Sequence, residues 1–198
     1  MYGGPFDEVI MESSPFLRSM QTMAGVCNAM GIESFEVNNV FGEHLESKIT
    51  VGQNPVPLLK SKQESARANP DAFCAKYFDG IRVVDNGKWE EELISRYPES
   101  NASIKERVAL FSDTWIQKYG HSKKRVLHVA TSHGTLVKQF GRLHGGRKKK
   151  CKYTGVSVVA ITTPDQTAAN WEQKKPTTKL ISNCKQNHRK LSAYCPVQ

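Results

Sequence analysis

The chain of 198 residues is 38% hydrophobic and 24% charged, the composition of a folded domain with a real core rather than of a disordered or fibrous chain. No stretch approaches the ~18 apolar residues that a membrane span needs, and no apolar leader follows Met1. The net charge of +9 is unevenly placed: residues 1–100 hold 9 Lys and Arg against 15 Asp and Glu, and residues 101–198 hold 19 against 4. A basic half of this kind either solvates an exposed face or meets an anionic partner: a phosphorylated ligand, RNA or an acidic protein polymer. Cys27, Cys74, Cys151, Cys184 and Cys195 are odd in number and form no CxxC pair, which predicts reduced thiols in an intracellular, cytoplasmic chain.

In chain order, "FDEVIMES" predicts a strand. Ser14 is placed as an N-cap with Pro15 at the first helical position, and "PFLRSMQTMAGVCNAM" predicts a helix with Phe16, Met20, Met23 and Cys27 on one stripe, stopped at Gly31. "SFEVN" is a second short strand, so the segment reads as strand–helix–strand, the unit of a parallel sheet. Residues 46–88 are broken by Pro55, Pro57 and Pro70 and read as an irregular excursion over the sheet.

"KWEEELISRYP" predicts a helix, and a stronger one follows in "IKERVALFSDTWIQKYG". There Ser103 and Glu106 form a capping box, Ile104, Val108, Phe111 and Trp115 share a face, and Gly120 closes the element. "RVLHVAT" is apolar on both faces, as expected of a central parallel strand, and its "SHG" turn opens the helix "GTLVKQFGRLH". "GGRKKKCK" is a basic loop, "TGVSVVAITT" a buried strand and "TTKLISNC" an edge strand. The expectation is one three-layer α/β domain with a mainly parallel sheet over residues 1–184, followed by a basic arm at 185–198.

Ligands of open parallel sheets bind beyond the carboxyl ends of strands. Two segments fall there: residues 13–18, with Arg18, and residues 132–134, with His133. Each follows a strand and opens a helix, whose N-terminus favours anions. Arg18 offers a fork suited to phosphate, and His133 a hydrogen bond or a positive charge.

"SSPFLRSMQT" resembles the Ser-Pro-x-x-Arg-x-x-x-Thr segment of the histidine phosphatase (phosphoglycerate mutase-like) superfamily, and "VATSHGTLVKQ" resembles its late strand and Ser-His-Gly turn. "VNNVFGEHL" is similar to the segment that supplies the family's acidic proton donor, and "RYPESNASIKERVALF" to the segment before the late strand. The resemblance covers about residues 6–162. It implies a histidine-phosphatase-like fold in which Arg18 and His133 clamp a phosphoryl group, while Glu43 protonates the leaving oxygen; Glu36 and Glu46 stand close enough to compete for that role. It implies no metal and no organic cofactor.

The family nucleophile is a histidine in an Arg-His-Gly motif at the end of a first strand, upstream of the Ser-Pro segment. "MYGGPF" is not that motif, and none of His44, His121, His128, His144 and His188 takes the matching position. Three accounts stand: the sequence continues upstream as an active enzyme, or another chain supplies the missing strand, or the chain as written is an inactive phosphoryl-binding domain descended from phosphomonoesterase or phosphomutase chemistry, with its first strand missing. A protein partner would then cover the open sheet edge.

The alternative from another class is a non-catalytic subunit of a large assembly. Its basic runs, "GRLHGGRKKKCK", "EQKKP" and "CKQNHRK", would contact RNA or an acidic polymer. "GGRKKK" lacks the ending of a P-loop, and Cys184, His188 and Cys195 offer no fourth ligand for zinc.

Overall fold

The computed structural model describes residues 5–46, 64–84, 97–146, 156–162 and 176–185. Residues 88–96 of the helix expected at 88–98, most of the 145–152 loop and the arm beyond Lys185 lie outside these residues. Elements in chain order are β1 (Glu8–Ser13), α1 (Leu17–Met30), β2 (Ser34–Val37), a 3-10 turn (Asn39–Phe41), α2 (Pro70–Phe78), β3 (Arg82–Val84), α3 (Asn101–Tyr119), β4 (Val126–Thr131), α4 (Gly134–Leu143), β5 (Val156–Thr162) and β6 (Thr177–Lys185). No helix among the described residues is long and apolar enough to cross a membrane.

The fold is α/β. Four parallel strands flanked by helices form a sheet in the order β3-β2-β1-β4, compatible with a three-layer arrangement. β1 pairs with β2 through Glu12↔Glu36 and Ser13↔Val37, and β2 with β3 through Phe35↔Val83. The chain thus steps outward from β1 to β3 and returns to the opposite side of β1 with β4. That reversal lies between β1 and β4, and their connections leave the sheet in opposite directions, opening a crevice at the carboxyl ends.

Chain contacts divide the molecule into two compact units. One comprises Val9–Arg107 and His128–Leu136; the other comprises Met1–Glu8, Val108–Leu127 and Val137–Gln198. In the first, Met20, Met23 and Cys27 of the expected stripe are buried with Ala24 against Phe35 and Val37 of β2, whereas Phe16 precedes the helix and packs against Leu45. Each large apolar side chain so buried contributes about 1.5–3 kcal/mol. Burial also raises the Cys27 thiol above its ordinary pKa, so it remains a neutral filler of the core. Gly31, with φ of 67°, ends α1 in the left-handed conformation: its N–H reaches the Asn28 carbonyl, and that of Ile32 the Cys27 carbonyl.

The segment expected to be irregular is partly regular. Pro70 does not break a helix but starts one, at its first position, where the Asn69 side chain accepts the Ala72 N–H at 3.2 Å. α2 sends Phe73, Cys74 and Phe78 into the core, and β3 extends the sheet. Two helix starts also differ from expectation. α1 begins at Leu17, with no side-chain cap, because Ser14 is engaged elsewhere. α3 begins at Asn101, where Ser100 Oγ accepts the Ser103 N–H at 3.1 Å; Ser103 lies inside the helix and donates to Glu99.

In the second unit, β5 and β6 form a separate antiparallel pair, with Val159↔Leu180 and Thr162↔Thr177 in register. A side chain at Gly120, where the chain turns after α3, would collide with the Ile116 carbonyl and the Pro176 ring, so the position requires glycine. Ser112 and His144 lie 3.0 Å apart, and burial lowers the His144 pKa although the charge of Asp113 pulls it up.

Candidate functional site

The site stands at the crevice between the carboxyl ends of β1 and β4. Its floor is buried and polar, which is costly unless every group finds a partner. Thr131 Oγ1, at the end of β4, donates to Ser13 Oγ (2.9 Å) and to the Ser19 carbonyl (3.1 Å), joining β4, β1 and α1. The Ser14 N–H donates to the Thr131 carbonyl at 2.9 Å. Beneath them Glu12 takes the Asn38 amide (3.0 Å) on one oxygen and faces His128 Nε2 (2.6 Å) with the other.

His133 enters on the turn after β4 with its side chain 4% exposed. Its Nε2 lies 2.7 Å from Ser14 Oγ, and the ring edge packs against Phe16 at 4.9 Å. Nδ1 lies 3.0 Å from Glu43 Oε2. Arg18, in the first turn of α1, spreads over the Phe16 ring and brings Nη2 to 3.0 Å from the same Oε2 and 3.0 Å from His133 Nδ1. The other Glu43 oxygen accepts the backbone N–H of His44 at 3.1 Å. With Nδ1 protonated, the bonds run in one sense: Ser14 hydroxyl to His133 Nε2, and Nδ1–H to the carboxylate.

The loop that carries Glu43 is held from below. Arg107 on α3 donates to the carbonyls of Val40 (2.6 Å) and Gly42 (3.0 Å) through Nη1, and pairs with Glu99 through Nε (3.1 Å) and Nη2 (2.8 Å). Both side chains are buried, at 4% and 1% exposure. Ser132 Oγ donates to the Phe41 carbonyl (2.7 Å), tying the His133 turn to the same loop.

The structure thus brings Arg18, His133 and Glu43 together. The two competing carboxylates stand elsewhere: Glu36 lies on β2, and Glu46 pairs with His44 Nδ1 at 2.9 Å. Three contributors escaped the sequence reading. Ser14 carries the signature of a helix cap, and nothing local shows that His133 claims it. Arg107 and Glu99 lie in the "RYPESNASIKERVALF" segment, but nothing local shows that they pair with each other or hold the Glu43 loop.

Electrostatics fixes the state of the cluster. Burial would raise the Glu43 carboxyl, but the hydrogen bond and charge of His133, the His44 N–H and the Arg18 charge outweigh it and hold the pKa below its usual 4.5. Glu43 is therefore ionised at neutral pH and here serves as an anion between the Arg18 guanidinium and His133 Nδ1 rather than as a loaded proton donor. The order Ser14–His133–Glu43 matches that of a nucleophilic triad, yet Ser14 is completely buried and no electrophile can reach its oxygen in this conformation. Its role is to orient the imidazole. No cluster of three or more metal-ligating side chains occurs among the described residues.

Comparison of the chain with protein-family models, with curated proteins and with solved structures found no match.

Proposed function

We propose that this chain is a histidine-phosphatase-like domain whose Arg18–His133 crevice binds the phosphoryl group of a phosphorylated ligand. The observation that carries the reading is the meeting of Arg18 Nη2 and His133 Nδ1 on one carboxylate oxygen, each at 3.0 Å. Two groups that share one oxyanion are placed to share another. The uncapped start of α1 adds partial positive charge at the same place, and its first turn holds no acidic residue to cancel it. The position at the β1–β4 reversal is where open parallel sheets bind ligands.

The role is binding rather than cleavage in the chain as written. Among the described residues, His133 is the imidazole that meets Arg18 and Glu43; the His44 ring is turned to Glu46 and to the Glu99 carbonyl, and the His128 ring faces Glu12. An in-line phosphoryl transfer to histidine needs a second, nucleophilic imidazole opposite the leaving group. Arg18 grips the anion, His133 donates to it from a ring fixed by Ser14, and Glu43 belongs to the acid position of the resemblance.

The test is ligand protection. Phosphate and vanadate are expected to raise the melting temperature of the wild-type chain, and Arg18→Ala and His133→Ala each to abolish the rise. Unchanged protection in either variant overturns the assignment. A phosphomonoesterase assay on the same material checks the second half of the reading: the expected rate is that of the buffer.

A further inference from the structure

The crevice is already filled, and by a part of the chain itself. Glu43 Oε2 contacts both Arg18 Nη2 and His133 Nδ1, while Oε1 holds only the amide of the next residue. Arg18 is engaged with this carboxylate through a single nitrogen, and its side chain is 62% exposed, so most of the guanidinium fork faces water. An incoming tetrahedral oxyanion can use that fork. It cannot also reach Nη2 and Nδ1 unless it takes the place of Oε2, and two anions at that spacing repel strongly in a partly buried site. The backbone beneath Glu43 does not need to move, because Arg107 clamps the carbonyls of Val40 and Gly42. Rotation of one side chain is enough.

We propose that Glu43 is an internal occupant of the anion pocket, and that a phosphoryl group binds by turning the Glu43 side chain out. The proposal rests on the phosphoryl-binding reading given above and adds its regulation: affinity is set by how often the carboxylate leaves. If the pocket is open about one tenth of the time, the apparent dissociation constant is about tenfold weaker than that of the open pocket. Anything that stabilises the outward position of Glu43, such as a cationic group on the ligand or on a partner, would raise affinity without touching Arg18 or His133.

The experiment is titration of inorganic phosphate by calorimetry into the full chain and four variants. Glu43→Gln keeps the shape and the acceptor for the His44 amide but removes the charge; it is expected to bind phosphate about tenfold more tightly than wild type. Glu43→Asp keeps the charge but loses one methylene, so its carboxylate no longer spans to both partners, and it too is expected to bind more tightly than wild type. If Glu43→Asp binds as wild type and only Glu43→Gln tightens, Glu43 acts by repulsion at a distance, and internal occupancy is overturned. The same holds if both bind with wild-type affinity. Arg18→Ala and His133→Ala separate the two levels. Loss of binding in these, with no effect at Glu43, leaves the phosphate site standing and removes the occupant. Wild-type binding in them, or no binding in the wild type and Glu43→Gln alike, removes the site itself.

Discussion

Glu43 couples the site to acidity. Its carboxyl titrates below the usual 4.5, so on acidification the unfolded chain takes up that proton before the folded one does. The stability that Glu43 supplies is therefore complete above pH 4.5 and is lost as pH falls through its lowered folded value. The charged Arg18 on α1 and the titratable His133 on the β4–α4 turn are the groups that face it, with the His44 amide on its own loop. Urea unfolding of wild type and Glu43→Gln should converge as pH drops below 4.5; a gap that stays constant with pH would show that the ion pairs do not set this carboxyl. At the same scale, Arg18 and His133 were legible because each lies within a few residues of a strand end, where a helix opens. Ser14 was not, since the rule that makes it a cap is local and the group that claims it lies 119 residues away.

Among elements, the loop that ends the 3-10 turn is the most tightly specified piece of the site, and α3 specifies it. Arg107 satisfies two loop carbonyls and a carboxylate at once, all away from solvent. Removing one member of a buried pair leaves the other charge unmatched, so Arg107→Ala should lower stability by about 3–5 kcal/mol, as measured by denaturant unfolding. It should also weaken phosphate binding in whatever fraction remains folded, because Glu43 and the His133 turn lose their common support. A loss below 1 kcal/mol would show that water replaces the guanidinium. α1 and β2 could be read in advance because period, stop signal and strand composition agree. α2 and β3 could not: Pro70 reads locally as a breaker and, after Asn69, equally as a start, and only the core contacts of Phe73 and Phe78 decide between the two.

For the whole molecule, the sequence conveyed the class of fold and the crevice but not the sheet order. "VLHVAT" reads as a strand covered on both faces, yet among the described residues β4 ends the sheet, and all six of its residues retain some exposure. Patterning reports how apolar a strand is; it does not report which strand lies beside it. The charge asymmetry was equally plain in the sequence, but the basic runs that make it lie largely outside the described residues. The outer position of β4 leaves its mark on hydrogen exchange. The Thr131 carbonyl accepts from Ser14, and N–H and C=O of one residue leave a strand on the same side, alternating along it, so Val129 and Thr131 face β1 while Ala130 points outward. The Ala130 amide should exchange with deuterium far faster than those of its two neighbours. Among the described residues the strand that presents His133 is thus hydrogen-bonded along one margin, and the mobility of the imidazole is tied to how often that row of bonds opens.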